Sequence, residues 1–237
     1  MKLKDYFPLW IAAIIVLGFG SLTSCQPKIP GGYTGRPYSD SLYHAGAQTL
    51  PGKLQCEYYD LGGEGTAFHD SDSINSGSGG LNPADGTYLN EFRIHEAVDI
   101  SYTKFRDPPI DNSPYNLVEP VKDQLYIGWT SPGEWTKYTV HVTEPGIYQL
   151  GLMYTSNQGG KISLDVNDKN VTGPITIPTT YVAEDSVAMR QWHHWNYMDN
   201  IAQIELKKGL QTVTVHTVEN GQMNYDYIHF KLLQSSR

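Results

Sequence analysis

The chain has 237 residues, with 17 Lys and Arg against 25 Asp and Glu, and a formal net charge of −8. An acidic surface argues against nucleic acid as a partner and against adhesion to anionic lipid headgroups. The 17 Tyr, 5 Trp and 23 Gly, with few long runs of helix formers, favour β-structure.

The chain opens MKLKDYFPLWIAAIIVLGFGSLTSC. Lys2 and Lys4 form a short basic region. An apolar stretch from Phe7 to Phe19 follows, interrupted by Pro8 and Gly18 and too short to span a bilayer well. This is the layout of a secretory signal. It ends in Leu22-Thr23-Ser24-Cys25, which resembles a bacterial lipobox. That resemblance implies a signal peptide over 1–24 and lipidation of Cys25, which would anchor the exported protein to a membrane of the cell envelope. A plain signal peptide with a chance Cys is the alternative. Gln26 rather than Asp after Cys25 points towards an outer membrane. With Cys25 lipidated, Cys56 has no disulfide partner, and its alternating neighbours predict a small buried hydrophobe.

Residues 25–50 are rich in Gly, Pro and Ser and lack strand alternation, so a flexible tether is expected there, with the folded domain over 51–237. KLQCEYY (53–59) alternates, with Leu54, Cys56 and Tyr58 on one face and Gln55, Glu57 and Tyr59 on the other. Residues 62–120 are full of Gly, Asp, Asn and Ser. At most two or three strands are expected in this region, near 91–94 and 97–102. Phe68, Tyr88, Leu89, Phe92, Ile94, Val98 and Ile100 argue that its loops pack on the core. Strands are predicted over 134–142, with Tyr138, Val140 and Val142 on one face, and over 147–155, 161–166, 201–209, 210–218 and 224–233. Gly and Pro turns separate them. No segment has a convincing helical period. The fold class is all-β, a sandwich or a barrel.

Several stretches occur in a telling order: LPGKLQCEYYDLGGEGTAFHDSDSINSG (50–77), VDI (98–100), YIGWTSPGEWTKYTVHV (126–142), PGIYQLGLMYTS (145–156), WHHW (192–195), LKKGLQTVTV (206–215) and MNYDYIHF (223–230). Together they resemble a family 6 carbohydrate-binding module across residues 50–233. The resemblance implies a jelly-roll β-sandwich, galactose-binding-domain-like, that binds polysaccharide or oligosaccharide and often carries a structural calcium ion. Such modules usually accompany glycoside hydrolases.

QWHHWN (191–196) sets two Trp and two His in six positions. Adjacent residues of an extended chain point to opposite sides, so His193 and His194 are poorly placed to share one metal ion. By resemblance, Trp192 is a sugar platform and Trp195 packs inward. An indole face suits the C–H face of a pyranose. Trp129 maps to the opposing wall and Asn224 to the polar anchor; a buried strand Trp and a turn Asn are the plain readings, and Trp135 is the better candidate for the buried Trp. The resemblance also makes Gln55, Glu57 and Asp226 the side-chain ligands of calcium. Gln55 and Glu57 share a strand face, and the first and last strands of a jelly roll commonly pair. A hydrogen-bonded strand edge is the alternative.

Expected partners are therefore a glycan, the membrane through the lipid anchor only, and glycan-degrading enzymes or uptake proteins encoded elsewhere. A non-catalytic binder is expected. A structural, adhesion or assembly subunit of the envelope is one alternative. A glycoside hydrolase, which would need two carboxylates about 5–10 Å apart, is another.

Overall fold

The computed structural model describes residues 29–43 and 46–236. The signal-peptide stretch and Cys25 lie outside the described residues. Thirteen strands form among the described residues: β1 (Gln48–Leu50), β2 (Gly52–Gln55), β3 (Phe68–His69), β4 (Ile100–Tyr102), β5 (Leu125–Ile127), β6 (Trp135–Val142), β7 (Gly146–Ser156), β8 (Gly160–Val166), β9 (Lys169–Asn170), β10 (Ile175–Ile177), β11 (Asn196–Leu206), β12 (Gly209–Glu219) and β13 (Met223–Ser235). One α-helical turn, α1 (Tyr88–Glu91), and three 3-10 turns complete the secondary structure.

The strands make two sheets. One runs β1-β6-β12-β8-β10, with β3 on β6 and β9 on β8; the other runs β11-β7-β13-β5-β4, with β2 on β13. The expected all-β sandwich is what forms. Residues two apart on each strand share a face, and the inner faces meet in a single core. Tyr138, Val140 and Val142 enter it from β6, and Tyr148, Leu150, Leu152 and Tyr154 from β7. Val213 and Val215 join from β12, with Ile228 and Phe230 from β13. The outer face of β7 and β13 is covered as well. Tyr126, Met153 and Trp195 form a second buried cluster there, with Tyr197 and Tyr227 packed against it.

The rhythm of β13 slips twice against β7, between Tyr225 and Tyr227 and again between Leu232 and Gln234, and the first slip falls within the core. Tyr225 pairs with Tyr154 and Tyr227 with Met153, so Asp226 is an extra residue without an opposite number on β7. Such a bulge moves every later side chain to the other face. Met223 and Tyr225 point inward before it, and Ile228 and Phe230 after it.

Three local expectations differ from the fold. The alternating run 53–59 is a strand only to Gln55; Cys56–Tyr58 is a 3-10 turn. Residues near 91–94 form the end of α1 and the turn after it and make no strand. The segment 29–43 and 46–50, expected as tether, contributes β1 to the sheet, parallel to β6, and buries Tyr38. Tyr38 stacks on Tyr58 and lies over the Arg93 guanidinium, which donates to the Tyr59 and Asp60 carbonyls. The folded body thus reaches N-terminal of Pro51. As expected, the long 62–120 region is packed: Phe68, Phe92, Val98 and Ile100 are all in the core.

Candidate functional site

At one rim of the sandwich a cleft of about 460 Å³ opens between the segment after β5, the 3-10 turn Ala188–Trp192 and the start of β13. Trp129 and Trp192 are two of its walls, and Leu81 and Met189 are apolar neighbours. Both indoles stay open to solvent, Trp129 at 39% and Trp192 at 36% exposure, whereas Trp195, three residues on, is fully buried. The two tryptophans of WHHW therefore divide as the resemblance implied, one at the cleft and one packed edge-on against Tyr126 at 5.3 Å. Trp135, the candidate for a buried Trp, is instead half-buried at the start of β6.

The local sequence explains why the walls stand where they do. Trp129 has φ of +48°, a conformation that a bulky residue adopts only when its surroundings impose it. On one side, Gly128 donates to the Asp99 carbonyl at 2.9 Å, and a Cβ at Gly128 would come within 2.8 Å of Asn224 Oδ1. On the other, Thr130 is zipped to the β13 entry. Its hydroxyl donates to the Met223 carbonyl and accepts from the Met223 N–H, both at 3.1 Å, and its carbonyl accepts from Gln222. Gly221, with φ of +67°, permits this approach, because a Cβ there would lie 2.2 Å from the Thr130 carbonyl oxygen.

Trp192 is held at three points. Its carbonyl accepts from Thr155 Oγ1 at 2.6 Å and from Asn224 Nδ2 at 2.7 Å. Its indole N–H donates to Gln222 Oε1 at 3.3 Å. Asn224 Nδ2 also donates to Thr155 Oγ1, so both amide hydrogens are engaged and only Oδ1 is left for a ligand. The turn before Trp192 is braced by Asp185, which takes a bidentate bond from Arg190 at 2.6 and 2.8 Å and faces His194 Nε2 at 2.8 Å. The Arg190 hydrogen bonds hold the Asp185 carboxyl far below its usual range.

The two histidines part company as adjacent residues should. His194 faces Asp185 and the Thr180 carbonyl, away from the cleft; His193 lines the cleft and reaches Asp111. His193, Gln222, Leu81, Met189 and Tyr126 are cleft residues that the sequence did not single out as binders. The one available signal was QMN, three polar or flexible residues directly after the Asn220-Gly221 turn.

The predicted ion ligands also come together. β2 pairs antiparallel with β13, with Gln55 opposite Tyr227, next to Asp226. Gln55 Oε1, Glu57 Oε2 and Asp226 Oδ1 are all sealed from solvent and have no hydrogen-bond partner. Burial pushes the Asp226 carboxyl up to about 7. Burial, and then the Asp226 charge, push Glu57 well above its usual range. Three orphaned oxygens in one place are costly without a partner. Two carboxylates and an amide oxygen are the hard donors that calcium prefers, so the residues fit that ion. Among the described residues no group of three or more His, Cys, Asp or Glu is arranged to hold a metal; here the third donor is Gln55. Among the described residues, no helix is long and apolar enough to cross a membrane.

Comparison with known proteins gives one family match and several similar solved structures. The model of the carbohydrate binding module (family 6) matches residues 111–232, a span that includes Trp129, Trp192, Asn224 and Asp226. No curated protein matches the chain. Similar solved structures include a β-1,3-glucan-binding family 6 module from Bacillus halodurans, at 14% identity and TM-score 0.46, covering 78% of this chain and 98% of that one. A family 6 module from Clostridium stercorarium in complex with cellobiose is 12% identical, with TM-score 0.48 and coverage of 80% and 99%. A module of the Cellvibrio mixtus lichenase 5A in complex with cellotriose is 19% identical, with TM-score 0.36 and coverage of 46% and 79%.

Proposed function

Because the chain belongs to family 6 of the carbohydrate binding modules, we propose that the Trp129–Trp192 cleft binds a neutral oligosaccharide or a segment of a polysaccharide without cleaving it. The observation that carries this reading is the pair of half-open indoles facing one cleft. Each offers a flat π-face to a pyranose, and stacking removes apolar area from water without a charge on the ligand. The cleft residues Leu81, Tyr126, Ser131, Met189, Gln222 and Asn224 are all uncharged, which favours a neutral glycan over a uronate or sulfated one. Asn224 Oδ1 accepts from one sugar hydroxyl, and its amide hydrogens keep the Trp192 carbonyl in place.

In the same reading Gln55, Glu57 and Asp226 hold a structural calcium ion. Bound there, calcium neutralises the buried carboxylates and ties the turn after β2 to β13. Cys25 carries lipid and residues 1–24 are removed, so the module is displayed from an envelope membrane and supplies glycan to enzymes or uptake proteins encoded elsewhere. Labelling cells with a fatty-acid analogue tests the anchor, since Cys25→Ala loses the label if the reading holds.

The decisive experiment is binding of the protein to a glycan panel that includes cello-oligosaccharides and a β-1,3-glucan, beside Trp192→Ala. Removing the platform should weaken binding by about tenfold or more, since about 1.4 kcal/mol of lost contact is a factor of ten. The melting temperature should barely move, because the indole is half-open. Equal affinity in both proteins would remove Trp192 from the site. No binding to any glycan, with a folded protein, would favour an envelope assembly subunit.

A further inference from the structure

Resting on that reading of the cleft, we propose that His193 is its specificity-determining residue: Asp111 fixes the ring as the Nδ1–H tautomer, so that bare Nε2 accepts a hydrogen bond from a ligand hydroxyl. His193 is one of the cleft residues. Its Nδ1 lies 2.9 Å from Asp111 Oδ1. Asp111 is fully buried, and both of its oxygens already accept N–H donors: Oδ1 takes the Trp195 indole at 2.7 Å and Oδ2 the Lys104 backbone at 2.6 Å. A carboxylate so occupied offers no proton, so the hydrogen in the 2.9 Å contact sits on His193 Nδ1. A neutral imidazole with Nδ1–H carries a lone pair on Nε2.

That nitrogen is unspent. Among the described residues Nε2 has no hydrogen-bond partner, and it is not among the polar atoms sealed from solvent. The ring cannot turn away to find another partner, because Asp111 holds one side and Tyr126 lies edge-on at 6.4 Å. Asp111 is itself fixed through Trp195, whose carbonyl accepts from Leu117 and whose N–H donates to Asn116 Oδ1. The indole platforms stack on any pyranose face, whereas a fixed acceptor distinguishes one hydroxyl position from another. His193 is therefore the ligand-reading group and Asp111 a positioning residue.

Two measurements test this, one of them independent of any ligand. Two-bond ¹H–¹⁵N spectra of the histidine rings at neutral pH should report Nδ1 protonated and Nε2 bare for His193. The reverse tautomer would overturn the assignment, and Asp111→Asn should shift the ring towards Nε2–H. Binding to cellotriose and laminaritriose is then compared among wild type, His193→Asn and His193→Gln. Asn keeps a nitrogen near Nδ1 to meet Asp111 but cannot reach the ligand, so the fold should hold while affinity falls about three- to tenfold, the worth of one neutral hydrogen bond. Gln places an amide oxygen near Nε2 and should restore part of the loss. Unchanged affinity in His193→Asn, while Trp192→Ala loses binding, would overturn the role of His193 and leave the sugar cleft standing. Equal binding by Trp192→Ala would instead overturn the cleft and this assignment together.

Discussion

At the scale of single residues, Trp192 and Trp195 differ in what surrounds them and so in what their loss should do. Trp195 is fully buried, donates to Asp111 and packs on Tyr126. Trp195→Ala should destabilise the protein by about 3–5 kcal/mol, the usual cost of emptying a large aromatic site, and leave the Asp111 carboxylate short of a donor. Chemical denaturation should register this as a large drop in midpoint, whereas Trp192→Ala hardly shifts it. The division between the two came from the family resemblance, not from the spacing or composition of the segment itself. The role of His193 was not, because nothing near WHHW in sequence names Asp111 as its partner 82 residues away. The resemblance implied Asn224 as a cleft residue, but not the use of both its amide hydrogens on Thr155 and Trp192.

At the scale of elements, the long strands were readable because eight to thirteen residues give alternation enough repeats to register. β3, β5, β9 and β10 have only two or three residues each, and no period is visible at that length. The run 53–59 alternates to the eye, yet the 3-10 turn ends the strand after Gln55. The meeting of Gln55 and Glu57 with Asp226 depends on that turn and on the pairing of β2 with β13. Calcium should therefore act on the joint between the two elements. At a hundred times its dissociation constant it should add about 2.7 kcal/mol, or about 5–10 °C in melting temperature for a domain of this size. Chelation should reverse the gain and leave sugar affinity little changed, since Gln55, Glu57 and Asp226 do not line the cleft. A melting temperature indifferent to calcium would argue for a strand edge that carries its orphaned oxygens without an ion.

At the scale of the whole molecule, the surplus of negative charge is not spread evenly. Asp70, Asp99 and Glu134 line one small cavity between β6 and the long 62–120 region. Burial, reinforced by neighbouring carboxylates, pushes Asp70 up to about 7 and Asp99 up to about 6. In the unfolded chain both return to about 3.9. The native state therefore binds these protons more tightly. Their contribution is complete below about pH 4 and is lost as pH rises through 6 and 7. With calcium in excess, the melting temperature should fall between pH 5 and pH 8, and Asp70→Asn with Asp99→Asn should flatten that fall. A rise over the same interval would contradict these environments. The overall architecture was legible from composition and turn spacing. The acidic cavity was not, because Asp70, Asp99 and Glu134 lie far apart in the chain and are brought together only by the fold.

One codon has an unusual weight in this chain. Asp226 is the residue at which β13 first falls out of step with β7. Deleting it alone would keep the reading frame and leave a strand that alternates without interruption from Met223 to Leu232. The shortened strand could not keep both halves inward: either Met223 and Tyr225 or Ile228 and Phe230 would turn outward. Replacing Asp226 removes one buried carboxylate, whereas deleting it costs the phase of the central strand. The gene should therefore accept many substitutions at this position and no deletion.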